Sequence, residues 1–473
     1  MAAKTTAASR QKPAAKSAKR KVPKANNAAP APSTSQAPSE APTSSGQDVK
    51  GLRVRMFRVG FGDFFLVTVP TGAGPRHILI DCGVHAQDLG SIREAVKQMA
   101  RDCGSKLSLI IMTHRHADHI SGFATCSDVF SQFTVDRVWM PWFEDPANQT
   151  AKSFQANLTA MAARLSVRLA ARVDEESRQL ASMAENITGP MAASGISSNQ
   201  KALDVLHKGF KNTAEYNYYK AGDEPTLPKD LQDAGLSAQI LGPPIDPSLI
   251  SQMDYQSQQY LAENTEPAGH TTRLFSDAFQ ADAKGYPDEA FRFFTAAQIA
   301  KLIDASQPDV LSARAKAADN TLNNQSLVVL FSFKGKTLLF AGDAQWGNWE
   351  NFLYGGRYGT SGHTGITEQA KAILGKIDFY KVGHHGSRNA TPKDAVAAMR
   401  LGCVGMCSTQ IHAYNEVPRE PLLQALATRM NGQLARSDQV AANETPANQE
   451  AGPLPPKFTD PTGKLFIDYE FPG

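Results

Sequence analysis

Short apolar runs of β type recur along the chain between polar turns, and helical spacing replaces them in one long stretch. Gly51-Leu-Arg-Val-Arg-Met-Phe-Arg-Val-Gly60 alternates apolar and polar residues and predicts a half-buried strand. Residues 61–63 (Phe-Gly-Asp) read as a turn, 64–69 as a second strand, 70–75 as a hairpin loop, and 77–81 as a third strand running into Asp81-Cys82-Gly83. Ile92, Ala95, Val96 and Met99 fall at helical spacing within 91–102, and strands are predicted at 107–112 and 135–141. From about 145 to 220 the character changes. Phe154, Leu158, Met161, Leu165 and Leu169, then Leu203, Leu206 and Phe210, predict a mainly helical insertion. A strand is expected at 236–244. Polar loops follow over 245–320, with one helix at 295–305. Residues 326–333 and 337–343 predict a hairpin around a Lys-Gly-Lys turn. Residues 378–383 form a strand leading into His384-His385-Gly386-Ser387. A strand at 403–407, a helix at 421–430, a loop-like stretch at 431–461 and a last strand at 464–471 complete the order. It implies an α/β fold, with sheets covered by helices and no internal repeat.

Composition separates the first 50 residues from the rest. They are Ala, Lys, Pro, Ser and Thr with almost no bulky apolar side chain, too little to offset ordering entropy, so a disordered tail is expected. The tail carries nine Lys/Arg against Glu40 and Asp48, a net +7 within a whole-chain +3, which leaves −4 for the remainder. Any contact with nucleic acid or anionic lipid would draw on this basic arm, the plain alternative being a solvated flexible segment. No apolar run approaches the length of about 18 residues that a membrane span needs, and Met-Ala-Ala-Lys-Thr-Thr has no apolar core of a secretory signal. The dispersed Cys82, Cys103, Cys126, Cys403 and Cys407 fit reduced thiols in a cytoplasmic protein. Cys403 and Cys407 lack a second pair and read as strand residues rather than zinc ligands.

The chemistry begins where the strand at 107–112 ends, in His114-Arg-His116-Ala-Asp118-His119. Three imidazoles and a carboxylate packed so closely suit a metal far better than a turn. In an extended segment His114 and His116 point to one side and can grip one ion, while Asp118 and His119 can face a second. A site with open positions admits water, and zinc lowers the pKa of bound water to about 7, giving a hydroxide nucleophile. Asp343 ends another apolar strand after Gly342, where a carboxylate can bridge ions about 3.5–4 Å apart. His384 and His385 end a third. The other histidines (His77, His85, His207, His270, His363 and His412) are read as structural.

These residues, with Asp81-Cys82-Gly83, resemble the metallo-β-lactamase superfamily. The nearer resemblance is to the hydrolase domain of the DNA-uptake competence channel and its stand-alone relatives. It rests on Val59-Gly-Phe-Gly-Asp63, on Asn323-Asn-Gln-Ser326 and on Lys381-Val-Gly-His-His-Gly-Ser387. The resemblance implies an αββα sandwich over 51–473, interrupted at about 145–235 and 245–320, with the metal site at one edge. It places His114 and His116 on a first ion, Asp118, His119 and one of His384 and His385 on a second, and Asp343 between them. His384 is slightly preferred as the second-ion ligand. Asp118 and Asp343 become the catalytic carboxylates, Asn323, Asn324 and Ser387 substrate-binding residues, and Asp63 and Asp81 structural neighbours. One or two zinc ions are implied, with manganese or iron as substitutes. Two departures stand out. No histidine precedes the Gly342-Asp343 hairpin to complete the first ion, which leaves His207, His270 or water to do so. The family's Tyr-Gly-His-Pro is here Tyr414-Asn-Glu-Val-Pro418, without the histidine. The implied activity is metal-dependent hydrolysis by a metal-bound hydroxide. The substrate is a phosphodiester of nucleotide or nucleic-acid type, with Arg357, Lys381 and Arg388 as the phosphate patch. The alternatives are ester, lactam or thioester hydrolysis on the same fold, and a non-catalytic binding protein with a degraded site.

Overall fold

The computed structural model describes residues 51–85, 90–156, 197–260, 321–360, 362–411, 417–439, 451–462 and 465–472. The expectations for the tail, the helix at 295–305, Leu158 to Leu169, His270, His412 and Tyr414 lie outside them. The described residues belong to one unit, Asp48–Gly473.

Two sheets form its centre. The first joins β1 (Arg53–Phe57), β2 (Phe64–Val69), β3 (Arg76–Cys82), β4 (Lys106–Ile111), β5 (Thr134–Pro141), β6 (Glu215–Tyr219) and β13 (Phe466–Glu470) in the order β13-β1-β2-β3-β4-β5-β6. The second joins β7 (Leu236–Gly242), β8 (Val328–Phe333), β9 (Lys336–Phe340), β10 (Phe379–Lys381), β11 (Val404–Cys407) and β12 (Leu434–Arg436) in the order β12-β11-β10-β9-β8-β7. The β2–β3 and β8–β9 hairpins fall where the alternation and turns predicted them.

The layers follow from which face each strand residue takes. Along β2, Phe65 and Val67 face the core between the sheets, against Phe331, Leu338 and Phe340. Phe64 and Leu66 face the opposite way, into the packing of α1 (Ile92–Cys103), α2 (Ala117–Thr125), α3 (Ser127–Phe130) and α4 (Ser198–Lys208). Both faces are buried, which is why β2 reads as a continuous apolar run and not an alternation. The second sheet is covered likewise by α5 (Trp346–Tyr354), α6 (Glu368–Leu374), α7 (Lys393–Ala398) and α8 (Glu420–Arg429), through Leu339, Tyr380, Leu353, Leu374 and Leu426. Helices, sheet, sheet, helices: the chain is an αββα sandwich. Among the described residues no helix is long and apolar enough to cross a membrane.

Three elements differ from expectation for physical reasons, among them the three-residue β12 inside the stretch read as loop-like. β1 is internal, between β13 and β2, and of its two arginines Arg53 is partly buried and Arg55 buried. Arg55 is buried, with Nε and Nη2 each 2.7 Å from a carboxylate oxygen of Asp468 and Nη1 on Asp102 of α1. Strand β6, within the stretch read as helical, is Glu-Tyr-Asn-Tyr-Tyr and extends the first sheet at its edge. It alternates nothing apolar, so periodicity could not find it.

Candidate metal centre

Strands β3, β4 and β5 run parallel, as do β9, β10 and β11. Their carboxyl ends deliver Asp81, the segment 112–116, Asp343, His384-His385 and Ser408 to one edge of the sandwich. Leu327 N–H donates to Thr113 O at 2.9 Å and ties the approach to β8 to the end of β4.

Backbone contacts draw these ends close. Asp63 N–H donates to Asp118 O (2.8 Å) and Gly83 N–H to Asp63 O (2.9 Å). A Cβ on Gly83 would lie 2.3 Å from Asp118 C and His119 N, so only glycine lets β3 end against the start of α2. At Gly342, φ is +54° and a Cβ would meet Ser326 and Thr113, so the same reasoning places glycine before Asp343.

Among the described residues three groups of possible ligands result; in one, Asp63 and Asp81 face the Nδ1 side of His119, and the other two concern the centre. In the first of these two, His119, His385, Asp118 and Asp343 converge, all buried. His119 Nδ1–H donates to Asp81 Oδ2 (2.7 Å), and His385 Nδ1–H to Ser408 O (2.8 Å), so each ring turns its Nε2 inward. Nε2 of His119 is 3.1 Å and Nε2 of His385 is 3.4 Å from Asp343 Oδ2, and the latter is 3.2 Å from Asp118 Oδ2. In the other group, Thr113 Oγ1 and Ser326 Oγ lie 3.2 and 3.3 Å from His114 Nδ1, leaving Nε2 to face His116 Nδ1 at 2.9 Å. Asp118 completes it.

The donor chemistry fits a divalent cation. Lone pairs on two Nε2 atoms and on carboxylate oxygens repel at these distances unless something positive lies among them, and buried His119 Nε2 has no hydrogen-bond partner. Nitrogen and oxygen ligands about 2.0–2.2 Å from one zinc lie about 3 Å or a little more from each other, as these do. Without a cation, protons take its place. Burial alone would lower the His119 and His385 imidazoles, but Asp343 and the other carboxylates outweigh it, raising His119 well above its ordinary value and His385 to about 10. At His114 and His116 burial outweighs the pull of Asp118 and Asp343 and lowers both imidazoles, His116 to about 4. Burial would raise Asp118, yet His119 and the His385 hydrogen bond hold it well below the carboxylate range.

The structure reassigns several roles. His385, not His384, carries its Nε2 to the carboxylates. Both residues, with Gly386, have positive φ (42°, 50° and 79°), and this left-handed run sends the two imidazoles different ways. His384 sits at the rim: Nδ1 lies 2.8 Å from Ser387 Oγ and 3.2 Å from Asn389 Oδ1, and Nε2 lies 3.3 Å from Asn323 Nδ2. Ser387 Oγ–H donates to Asn389 Oδ1 (2.7 Å), and Gln345 Nε2 lies 3.4 Å from the same His384 Nδ1. Asn324 is fully committed to the scaffold. Its Nδ2 donates to Ile250 O and Gln252 O (3.0 and 2.6 Å), and its Oδ1 accepts from Gln345 N–H and Asn348 N–H (3.1 and 3.3 Å). It has nothing left for a substrate. Asp343 was expected to lie between the two ion positions, but it is Asp118 that belongs to both groups. Asp343 offers Oδ2 only, because Oδ1 accepts His384 N–H (3.1 Å) and faces Lys381 Nζ (3.6 Å).

Lys381 departs most from expectation. It is buried, pairs with Asp63 and donates to Gly342 O (3.0 Å), so it is unavailable as a phosphate clamp. Burial would lower it, but Asp63, Asp343 and Asp81 outweigh burial and raise it, keeping an ammonium among three buried carboxylates. Of the other patch residues, Arg388 pairs with Asp254 (3.2 Å), and Arg357 is exposed beyond the end of α5. His207 lies tilted against Tyr216 (ring centroids 5.5 Å apart, planes at 43°) and joins none of the ligand groups. Cys403 and Cys407 are buried free thiols.

Thr113 and Ser408, which orient the imidazoles, carry no spacing signal, and only their positions next to strand ends could have pointed to them; Ser326 closes the Asn323–Ser326 motif, whose role toward His114 the sequence did not show.

No family model matches the chain, and no curated protein is similar to it. Among solved structures, it is similar to the metallo-beta-lactamase fold protein YhfI from Bacillus subtilis. The identity is 8%, 81% of this chain and 96% of that one are covered, and the TM-score is 0.28. The assignment of the sandwich rests on its own layers and strand order.

Proposed function

We propose that the chain is a metal-dependent hydrolase, with zinc as the favoured ion, acting on a phosphodiester of nucleotide or nucleic-acid type. The observation that carries the reading is the convergence of His119 Nε2 and His385 Nε2 on Asp343 Oδ2 beside ionised Asp118. A divalent cation held there supplies Lewis acidity, acidifying water and taking up negative charge that develops on oxygen. The chain's own residues do the rest. Asp81 and Ser408 O fix the rings of His119 and His385 through their Nδ1–H groups. Asp118, shared by both groups, would orient the attacking water. His384 and Asn323 at the rim bind the substrate, held by Ser387 and Asn389. The phosphodiester is what the resemblance of the Val59–Asp63, Asn323–Ser326 and Lys381–Ser387 motifs implies.

The test is hydrolysis of bis-p-nitrophenyl phosphate, single-stranded DNA and nitrocefin by zinc- and manganese-loaded protein, beside Asp343→Asn and His116→Ala. A phosphodiesterase activity lost in both variants supports the reading. Turnover of nitrocefin alone replaces the substrate class, and activity untouched by both substitutions removes the site.

A further inference from the structure

We propose that Asn199, together with the Arg115–Glu144 pair, is a positioning residue for the ligand segment His114-Arg115-His116, so that the insertion builds the half of the metal centre that lacks a third histidine. The inference rests on the metal-binding reading above.

Arg115 lies between the two ligands and is held twice from outside the centre. Its carbonyl accepts Asn199 Nδ2–H at 2.9 Å, and its guanidinium forms a two-point pair with Glu144 (Nε to Oε1 2.8 Å, Nη2 to Oε2 2.6 Å). Asn199, Arg115 and Glu144 are all buried, at 3%, 8% and 6% exposure, so these bonds do not compete with bulk water. Glu144 belongs to the short turn Trp142–Glu144 that follows β5. Asn199 lies in the first turn of α4, whose start is capped by Ser197 Oγ and whose Ala202, Leu203 and Leu206 are packed in the core beneath α2.

The carbonyl of Arg115 sets the plane of the peptide that carries His116. Fixing that carbonyl and the side chain of the same residue fixes the relation of His114 Nε2 to His116 Nδ1, 2.9 Å apart. A group of His114, His116 and Asp118 alone gains affinity by having its ligands set in advance, since less ordering is left for the ion to impose.

The test uses the full chain in a His385→Ala background, so that bound cobalt(II) reports the His114/His116/Asp118 group through its visible absorption. Asn199→Leu is expected to weaken binding about tenfold, within the range for residues that orient ligands. Leu203→Ala, which loosens the same helix without touching the Arg115 carbonyl, is expected to leave it within twofold. Equal affinity in Asn199→Leu, or an equal loss in Leu203→Ala, overturns the proposal. Should Asn199→Leu fail to fold, Glu144→Gln serves instead, with about threefold weaker binding expected and unchanged binding overturning it. Absence of cobalt from the otherwise unaltered chain would overturn the metal-binding reading itself, a result distinct from either.

Discussion

Asp81 Oδ2 accepts from both His119 Nδ1 (2.7 Å) and Thr113 Oγ1 (2.6 Å), while Thr113 N–H donates to its other oxygen (2.8 Å). The carboxylate therefore fixes which nitrogen of His119 faces the centre. Asp81 also has φ +53°, a left-handed conformation that Asn tolerates and most residues do not. Asp81→Asn should thus keep the backbone and lose the charge. Zinc affinity, read by competition with a chromophoric chelator, is expected to fall about 10- to 100-fold with folding intact. Unchanged affinity would remove Asp81 from the centre.

His384 and His385 should separate in a metal assay. His385→Ala removes a nitrogen aimed at Asp118 and Asp343, and is expected to abolish or strongly reduce retained zinc measured by mass spectrometry after dialysis. His384→Ala is expected to retain the metal and to raise KM for the substrate, because the imidazole stands among Asn323, Ser387 and Asn389. The reverse pattern would restore His384 as the ligand.

Lys381→Met should destabilise the metal-free protein by about 3–5 kcal/mol, the usual cost of leaving one member of a buried ion pair uncompensated. Adding Asp63→Asn should recover much of it, since Asp63 is the ammonium's direct partner. Denaturant unfolding of the four combinations measures the coupling. Additive losses would show that the pair does not act as a unit.

His77 gives a pH dependence away from the centre. Burial, with Arg53, Arg55 and Arg76 nearby, pushes its imidazole from 6.5 down to about 4. The unfolded chain binds the proton that the folded chain refuses, so stability falls as pH drops from about 6.5 to about 4 and then levels. The upper bound is about 3.4 kcal/mol, from about 2.5 pKa units at about 1.36 kcal/mol each. His77→Gln should flatten that part of the profile in thermal melts from pH 7 to 4. An equally steep fall in the variant would assign the loss to other groups.

The order of elements was readable wherever burial leaves a periodic trace. The continuous run of β2 and the helical spacing of α1 each lie within a residue or two of their observed bounds. The three-residue β12 and the polar β6 were not readable, because one is too short and the other too polar to carry a period. The ligand types were legible too, since His114 to His119, Asp343 and His384-His385 each stand at a strand end. Sequence cannot tell an inward from an outward side chain at a turn. That is why His385 was undervalued, Asn324 was given a substrate role while its hydrogen bonds all go to the backbone, and Lys381 was read as a phosphate ligand. What the sequence alone determined is the set of chemical groups and the strands that carry them, because composition and period are local properties of the chain. Tertiary structure decided which of those groups meet. The left-handed turn at His384-His385, the ammonium between Asp63 and Asp343, and the insertion's hold on Arg115 bring together residues far apart in the chain.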